Sequence, residues 1–277
     1  MFPNTFSGWS VAVRFIVIGA HPDDCEYRFA GTAAKLLAEG HAVKFVSLTN
    51  GDAGHHIQGG ATLSSRRAAE FQEAVRRLGV TASETLDVHD GEVYPSLEMR
   101  AQVIRLIREW QADVVVTHRP NDYHPDHRYT GLLVQDSAYL VMVPNICPLT
   151  PALKRNPVYL YMEDSFQKPN PFSPDIVVDI TSTWLDKVRA LDAHESQFYE
   201  WLPWLDGILD QVPKTPEDRL QWLDQWLQKL LKSDFRNAIE RRYGPVKARD
   251  VRLVEAFELC EYGRQLTAEE LDSLFPR

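Results

Sequence analysis

Three short polar stretches carry most of this chain's capacity for chemistry. They are Ala20-His21-Pro22-Asp23-Asp24-Cys25-Glu26, Thr49-Asn50-Gly51-Asp52-Ala53-Gly54-His55-His56, and His118-Arg119-Pro120-Asn121-Asp122-Tyr123-His124-Pro125-Asp126-His127. Two imidazoles and a carboxylate that leave one coordination position open suit a catalytic Zn²⁺, whose bound water ionises at a pH of about 7. His21 and Asp24 can chelate from one tight loop, and His127 can close the site from another. Two adjacent carboxylates do not easily face one ion. One of Asp23 and Asp24 therefore ligates while the other takes a proton from the water, and their spacing leaves open which does which. Pro22 and Pro125 fix φ and so lower the entropic cost of holding both loops in place.

Each stretch follows an apolar segment. Residues 11–18 and 42–48 are rich in β-branched and aromatic side chains, as are 113–117, and 85–88 reads as a short strand between them. Segments 27–39, 64–78 and 97–110 carry apolar residues at helical spacing, the first two stopping at Gly40 and Gly79. Alternating strands and helices predict an α/β fold: a Rossmann-like, mostly parallel sheet with helices on both faces. In such a sheet ligands bind beyond the carboxyl ends of the strands, so the three polar loops converge.

Beyond Cys147, prolines punctuate two further strands at 158–162 and 175–180, and a helix follows at 183–198. From Pro203 the pattern reads as helical and rich in tryptophan (Trp204, Trp222, Trp226, with Trp201 just before), closing in a charged helix at 246–261. The expected organisation is a core of residues 1–200 and a helical C-terminal extension of 201–277 packed on the same domain. The tryptophans read as helix packing or an oligomer surface, and Cys25 as a small packing residue.

The motifs AHPDD after the first strand, TNGDAG after the second and HPDH after the fourth resemble the PIG-L/LmbE-like family of zinc-dependent N-acetylglucosaminyl deacetylases. Arg67-x-x-Glu70-x-x-x-Ala74, Asp90-Gly91 and Lys187-x-x-Ala190-x-x-x-His194-x-Ser196-Gln197 extend the resemblance over residues 12–200 or so. It implies that His21, Asp24 and His127 hold one Zn²⁺, or Fe²⁺ in its place. It makes Asp23 the general base that activates the bound water. His124 becomes the protonated partner that stabilises the oxyanion or donates a proton, and Asp126 the catalytic carboxylate orienting a histidine. Arg67, Asn50 and Asp122 would meet the substrate. The implied reaction removes an N-acetyl group from an amino sugar or glycoconjugate of the N-acetylglucosamine type. The alternatives are an amidase cleaving a larger amide or thiol conjugate of an amino sugar, and a non-catalytic Rossmann-like binding module. The family also implies self-association as a homo-oligomer. A basic cradle for a substrate phosphate is not evident along the chain.

Composition narrows the field further. The 277 residues include 30 Lys and Arg against 39 Asp and Glu, a formal charge of −9 that argues against nucleic acid as a partner. Apolar residues at 44% and an absence of low-complexity tracts exclude disordered and fibrous classes. Cys25, Cys147 and Cys260 are distant from one another and form no C-x-x-C pair, which fits a reducing cytoplasm. The apolar run at 11–20 is interrupted by Arg14 and is too short to span a bilayer, and residues 1–10 lack the positive charge of a secretory leader.

Overall fold

In the first strand, β1 (Arg14–Gly19), Phe15 and Val17 point to one side and Ile16 and Ile18 to the other, and all four are fully buried. A strand apolar on both faces belongs at the centre of a covered sheet. The computed structural model, which describes residues 12–230 and 235–277, puts β1 at that centre. Around it lie β2 (Ala42–Thr49), β3 (Ala82–Val88), β4 (Val114–Thr117), β5 (Val158–Met162), β6 (Ile176–Asp179) and β7 (Val254–Leu259), in the order β3-β2-β1-β4-β5-β7-β6. The first five strands are mutually parallel, whereas β7 runs antiparallel to both β5 and β6.

The helices are α1 (Asp24–Ala38), α2 (Gly60–Leu78), α3 (Leu97–Trp110), α4 (Pro125–Ser137), α5 (Trp184–Asp192), α6 (Leu202–Leu205), α7 (Pro216–Leu230), α8 (Arg236–Lys247) and α9 (Ala268–Leu274). Phe29 of α1, Phe71 of α2, Leu191 of α5, Leu223 of α7 and Leu271 of α9 pack with Phe15 and Val17. Val103 and Ile107 of α3 and Leu133 of α4 pack with Ile16 and Ile18 on the opposite face. This is the layered fold expected from the alternating pattern. Gly79 closes α2 in the left-handed region at φ 70°, which a side chain would strain. The chain steps from β1 outward to β3, then returns to β4 on the other side of β1. The loops leaving β1 and β4 diverge at that reversal and open a crevice there.

Three local readings change. The charged helix expected at 246–261 is instead strand β7, reached through the end of α8. Two glutamates hide its alternation: Glu255 faces inward, where its carboxylate accepts hydrogen bonds from Gly31 N, Thr32 N and the Lys187 ammonium at 3.1, 2.7 and 2.7 Å. The helix expected at 183–198 ends at Asp192, and Ser196–Trp201 winds as a π-helical turn. The third polar stretch, expected as loop through His127, turns helical at its end: Pro125–Ser137 is α4, with Pro at its first position and His124 as N-cap. Val11 of the expected first strand and the stretch 1–10 lie outside the described residues.

Candidate active site

The loop between β1 and α1 is tied down by Asp24, whose Oδ2 accepts hydrogen bonds from Ala20 N at 2.9 Å and His21 N at 2.7 Å. Gly19 is required here, because a Cβ would sit 2.7 Å from that of Asp24. Across the crevice, the first turn of α4 supplies His127. His21 Nδ1 lies 3.1 Å from His127 Nε2 and 3.5 Å from Asp24 Oδ2, and His127 Nε2 lies 3.4 Å from Asp24 Oδ1. Ligand bonds of about 2.0–2.1 Å in a tetrahedron require donor separations of about 3.3–3.4 Å. The three groups expected to bind metal thus meet in the crevice, His21 and His127 each approaching a different oxygen of Asp24. Among the described residues, His21 and His127 also form a close donor set with His124, and His127 forms another with Asp24 and His118.

The far nitrogens of both imidazoles meet carboxylates. His21 Nε2 is 3.2 Å from Asp90 Oδ1 and 3.3 Å from Asp126 Oδ2, and His127 Nδ1 is 3.1 Å from Asp122 Oδ1. Such partners fix the tautomer and turn the other nitrogen toward a metal. Asp126 is itself fixed by Gly91 N at 2.6 Å and Val93 N at 3.1 Å, so the position expected to orient a histidine faces His21. Asp122, expected at the substrate, stands behind His127 and also accepts from His124 N at 3.1 Å. Asn50 likewise turns away: its amide donates to Asp87 at 2.8 Å and its oxygen accepts from Asp52 N at 3.2 Å.

Arg67 is 2% exposed and holds the expected base. Its Nη2 donates to Asp23 Oδ1 at 3.1 Å and to Pro22 O at 3.4 Å, while Nη1 donates to Gly51 O at 3.2 Å. Gly51, at φ 69°, lets the loop pass so close that a Cβ would lie 2.6 Å from the guanidinium. A residue expected to reach substrate thus grips the loops on which the site is built.

The electrostatics favour positive charge at the centre. Burial works to lower the His21 imidazole, but the carboxylates of Asp126, Asp24 and Asp90 raise it well above its ordinary value. Burial works to raise Asp24, yet the charges of His127 and His118, with the hydrogen bonds from His118 and His21, hold it well below the usual carboxylate range. His124 behaves differently. Burial first, then the charges of His21 and His127, hold it below its ordinary value, which departs from the protonated partner implied by the sequence motif. Its Nδ1 accepts from Asp126 N at 3.2 Å, so the neutral ring carries its proton on Nε2.

His118 and Asp90 were not assigned roles from the sequence. His118 stacks flat on His127, with centroids 4.0 Å apart, and its Nε2 is 3.1 Å from Asp24 Oδ2. Asp90 is held through Asp52, whose Oδ1 accepts from Asp90 N at 3.1 Å. Of the histidine pair after Gly54, His55 bonds Glu200 at 2.8 Å, and His56 stacks on Trp204 with centroids 5.1 Å apart. Trp226 is buried, as packing would have it, whereas Trp204 remains half exposed.

Comparison with known proteins places this geometry in context. Residues 16–138 match the PIG-L family, described as GlcNAc-PI de-N-acetylase. A diacetylchitobiose deacetylase from Thermococcus kodakarensis is 32% identical over 211 residues, 70% of this chain and 76% of that protein. A 4-oxalmesaconate hydratase from Pseudomonas putida is 25% identical over 67% of this chain and 74% of its own length. Among solved structures, the N,N'-diacetylchitobiose deacetylase from Pyrococcus horikoshii superposes with a TM-score of 0.69 at 25% identity, covering 92% of this chain and 86% of that one.

Proposed function

We infer, from the fact that this chain belongs to the PIG-L family of de-N-acetylases, that it is a metal-dependent hydrolase removing the N-acetyl group of an N-acetylglucosamine-type sugar or glycoconjugate. The observation that carries the reading is the meeting of His21, His127 and the two oxygens of Asp24 at 3.1–3.5 Å, with the neighbouring Asp23 held by Arg67. On this reading the three residues hold one zinc ion. A divalent ion there would polarise the acetamide carbonyl and lower the pKa of water to about 7.

The chain's own groups do the rest. Arg67 fixes Asp23 so that its carboxylate accepts a proton from the attacking water as the water oxygen bonds to the carbonyl carbon. The Nε2–H of neutral His124 donates to the carbonyl oxygen as charge gathers on it. Asp23 then returns the proton to the departing nitrogen, the C–N bond breaks, and acetate and a free amine leave. Asp126 and Asp90 keep His21 in the tautomer this requires, and Asp122 does the same for His127.

The test is acetate release from a panel of N-acetylated sugars by metal-reconstituted protein. Release from N-acetylglucosamine or diacetylchitobiose is expected. The similarity to a hydratase favours one second reading, addition of water to an unsaturated carboxylic acid. Turnover of such an acid, with no acetate from any sugar, would establish it instead. Three unpaired cysteines support a reducing cytoplasm as the place of action, and among the described residues no helix is long and apolar enough to cross a membrane. Self-association through exposed Leu97, Tyr139 and Leu149 belongs to the same proposal.

A further inference from the structure

One aromatic ring beside the histidine cluster takes no part in the proton transfers. Tyr123 precedes the N-cap of α4 and is 67% exposed. Its ring centroid lies 5.4 Å from that of His127 and 5.6 Å from that of His124, at interplanar angles of 75° and 84°. The phenol ring therefore stands as a wall against the imidazoles, nearly perpendicular to both. Phe166 stacks on it, with centroids 6.1 Å and planes 25° apart. So much of Tyr123 is uncovered that the ring face away from Phe166 is open.

Both aromatic residues are fixed through their backbones. Arg128 Nη1 donates to Asp122 O and to Tyr123 O, each at 2.8 Å. Phe166 N donates to Asp164 Oδ1 at 2.8 Å, and Phe166 O accepts from Arg119 Nη2 at 2.8 Å. Arg119 follows β4, is 3% exposed, and pairs with Asp164 through Nε at 2.5 Å and Nη2 at 2.6 Å. Arg119 and Asn121 also donate to Asn170 O, at 2.9 and 3.1 Å. The loop after β4 is thus lashed to the loop after β5. A ring already held in place gives up little entropy when a ligand lies on it.

We propose that Tyr123, backed by Phe166, is the surface on which the pyranose ring of the amino sugar stacks, and that it makes the site select a cyclic sugar over an open-chain amide. The proposal rests on the deacetylase reading above and names a residue that sets its specificity. Two bonds, about 2.4 Å end to end, separate an acetamide carbonyl carbon from the sugar carbon that bears it. A sugar with its amide among the histidines therefore carries its ring into contact with their aromatic neighbour. Axial C–H bonds make the faces of a pyranose apolar, and an aromatic face covers them while the hydroxyls at the ring's edge stay in water.

The test compares N-acetylglucosamine with N-acetylglucosaminitol, its reduced form, which keeps the acetamide and the hydroxyls but has no ring. In Y123A, kcat/KM for the sugar should fall about tenfold, through KM, because a stacked ring is bound alike in the ground and transition states. The alditol should lose less than about threefold, so the sugar-to-alditol ratio collapses. Y123F keeps the aromatic face and should keep the wild-type ratio. Equal losses for both substrates in Y123A, or a Y123F as impaired as Y123A, would overturn the proposal. So would a loss of bound metal in Y123A, measured by elemental analysis. If circular dichroism shows Y123A misfolded, Y123S takes its place with the same expectations. If the alditol binds without turnover, its inhibition constant supplies the comparison. If no substrate releases acetate, the deacetylase reading is what fails. Calorimetric binding of N-acetylglucosamine then judges the wall: weaker binding to Y123A but not to Y123F supports it, and equal binding, or none to the wild type, refutes it.

Discussion

Asp23 and Asp24 are chemically identical neighbours, and their surroundings separate them. Asp24 is enclosed by His21, His118 and His127, while Asp23 faces the Arg67 guanidinium. Asp23→Asn keeps a hydrogen-bond acceptor for Arg67 but removes the proton acceptor. Steady-state acetate assays should show turnover reduced by about 10²–10⁴-fold, with bound metal by elemental analysis unchanged. His118 acts on the other carboxylate. Its Nε2, 3.1 Å from Asp24 Oδ2, restrains which oxygen Asp24 can turn toward an ion. His118→Ala should weaken metal affinity by about 10–100-fold in competition with a chelator. Unchanged affinity would mean that Ala20 N and His21 N alone suffice to hold Asp24. The paired motifs made His21, Asp23, Asp24, His124 and His127 legible, because each pair is contiguous and ends a strand. His118 was not, since its contact with Asp24 spans 94 residues and only the parallel pairing of β1 with β4 creates it. Asn50, Asp122 and Arg67 lie in motif loops, and position alone does not say which way a side chain turns.

Helix boundaries were readable where local chemistry marks them, as with Ser96 capping α3 through Met99 N and Gly79 closing α2. β7 was not, because an inward glutamate breaks a strand's apolar rhythm. Its partner Lys187 sits on α5, and the pair joins sheet to helix with both residues buried. Lys187→Met leaves the Glu255 carboxylate without its cation, and urea denaturation should register a loss of about 3–5 kcal/mol. A loss below about 1 kcal/mol would mean that Gly31 N and Thr32 N satisfy the carboxylate unaided. On the surface of α2, Arg76 and Arg77 hold the Glu73 carboxyl down to about 2. A depressed folded-state value adds stability above the unfolded carboxyl's pKa of about 4.3 and loses it as pH falls through about 2. Glu73→Gln should remove that increment at neutral pH, a small one for so exposed a pair, and flatten the acid limb between those values, the two proteins converging below about pH 2. An unaltered acid limb in thermal melts would contradict the pairing.

The crevice gathers Asp23, Asp24, Asp90, Asp122 and Asp126 around His21 and His127, a concentration of negative charge that the fold must hold against repulsion. A bound cation relieves it. Calorimetry should therefore show a lower melting temperature after chelation, restored by zinc; at a free-metal concentration 100 times the dissociation constant the gain is about 2.7 kcal/mol. Identical melts with and without chelator would argue against a resident ion. The layered sheet was legible as a whole because strand and helix alternate regularly through β4. Its far edge escaped, since β6 reaches the sheet only by way of β7.

That last connection bears on how the polypeptide is made. Strand β6 is complete at Asp179, but the strand it must dock on spans Val254–Leu259. A nascent chain leaving the ribosome can assemble β1 to β5 early, with the histidine crevice in place, yet must keep β6 waiting while some 75 further residues are synthesised. At about 5–20 residues per second that interval lasts roughly 4–15 seconds, during which Ile176, Val177 and Val178 are open to chaperones.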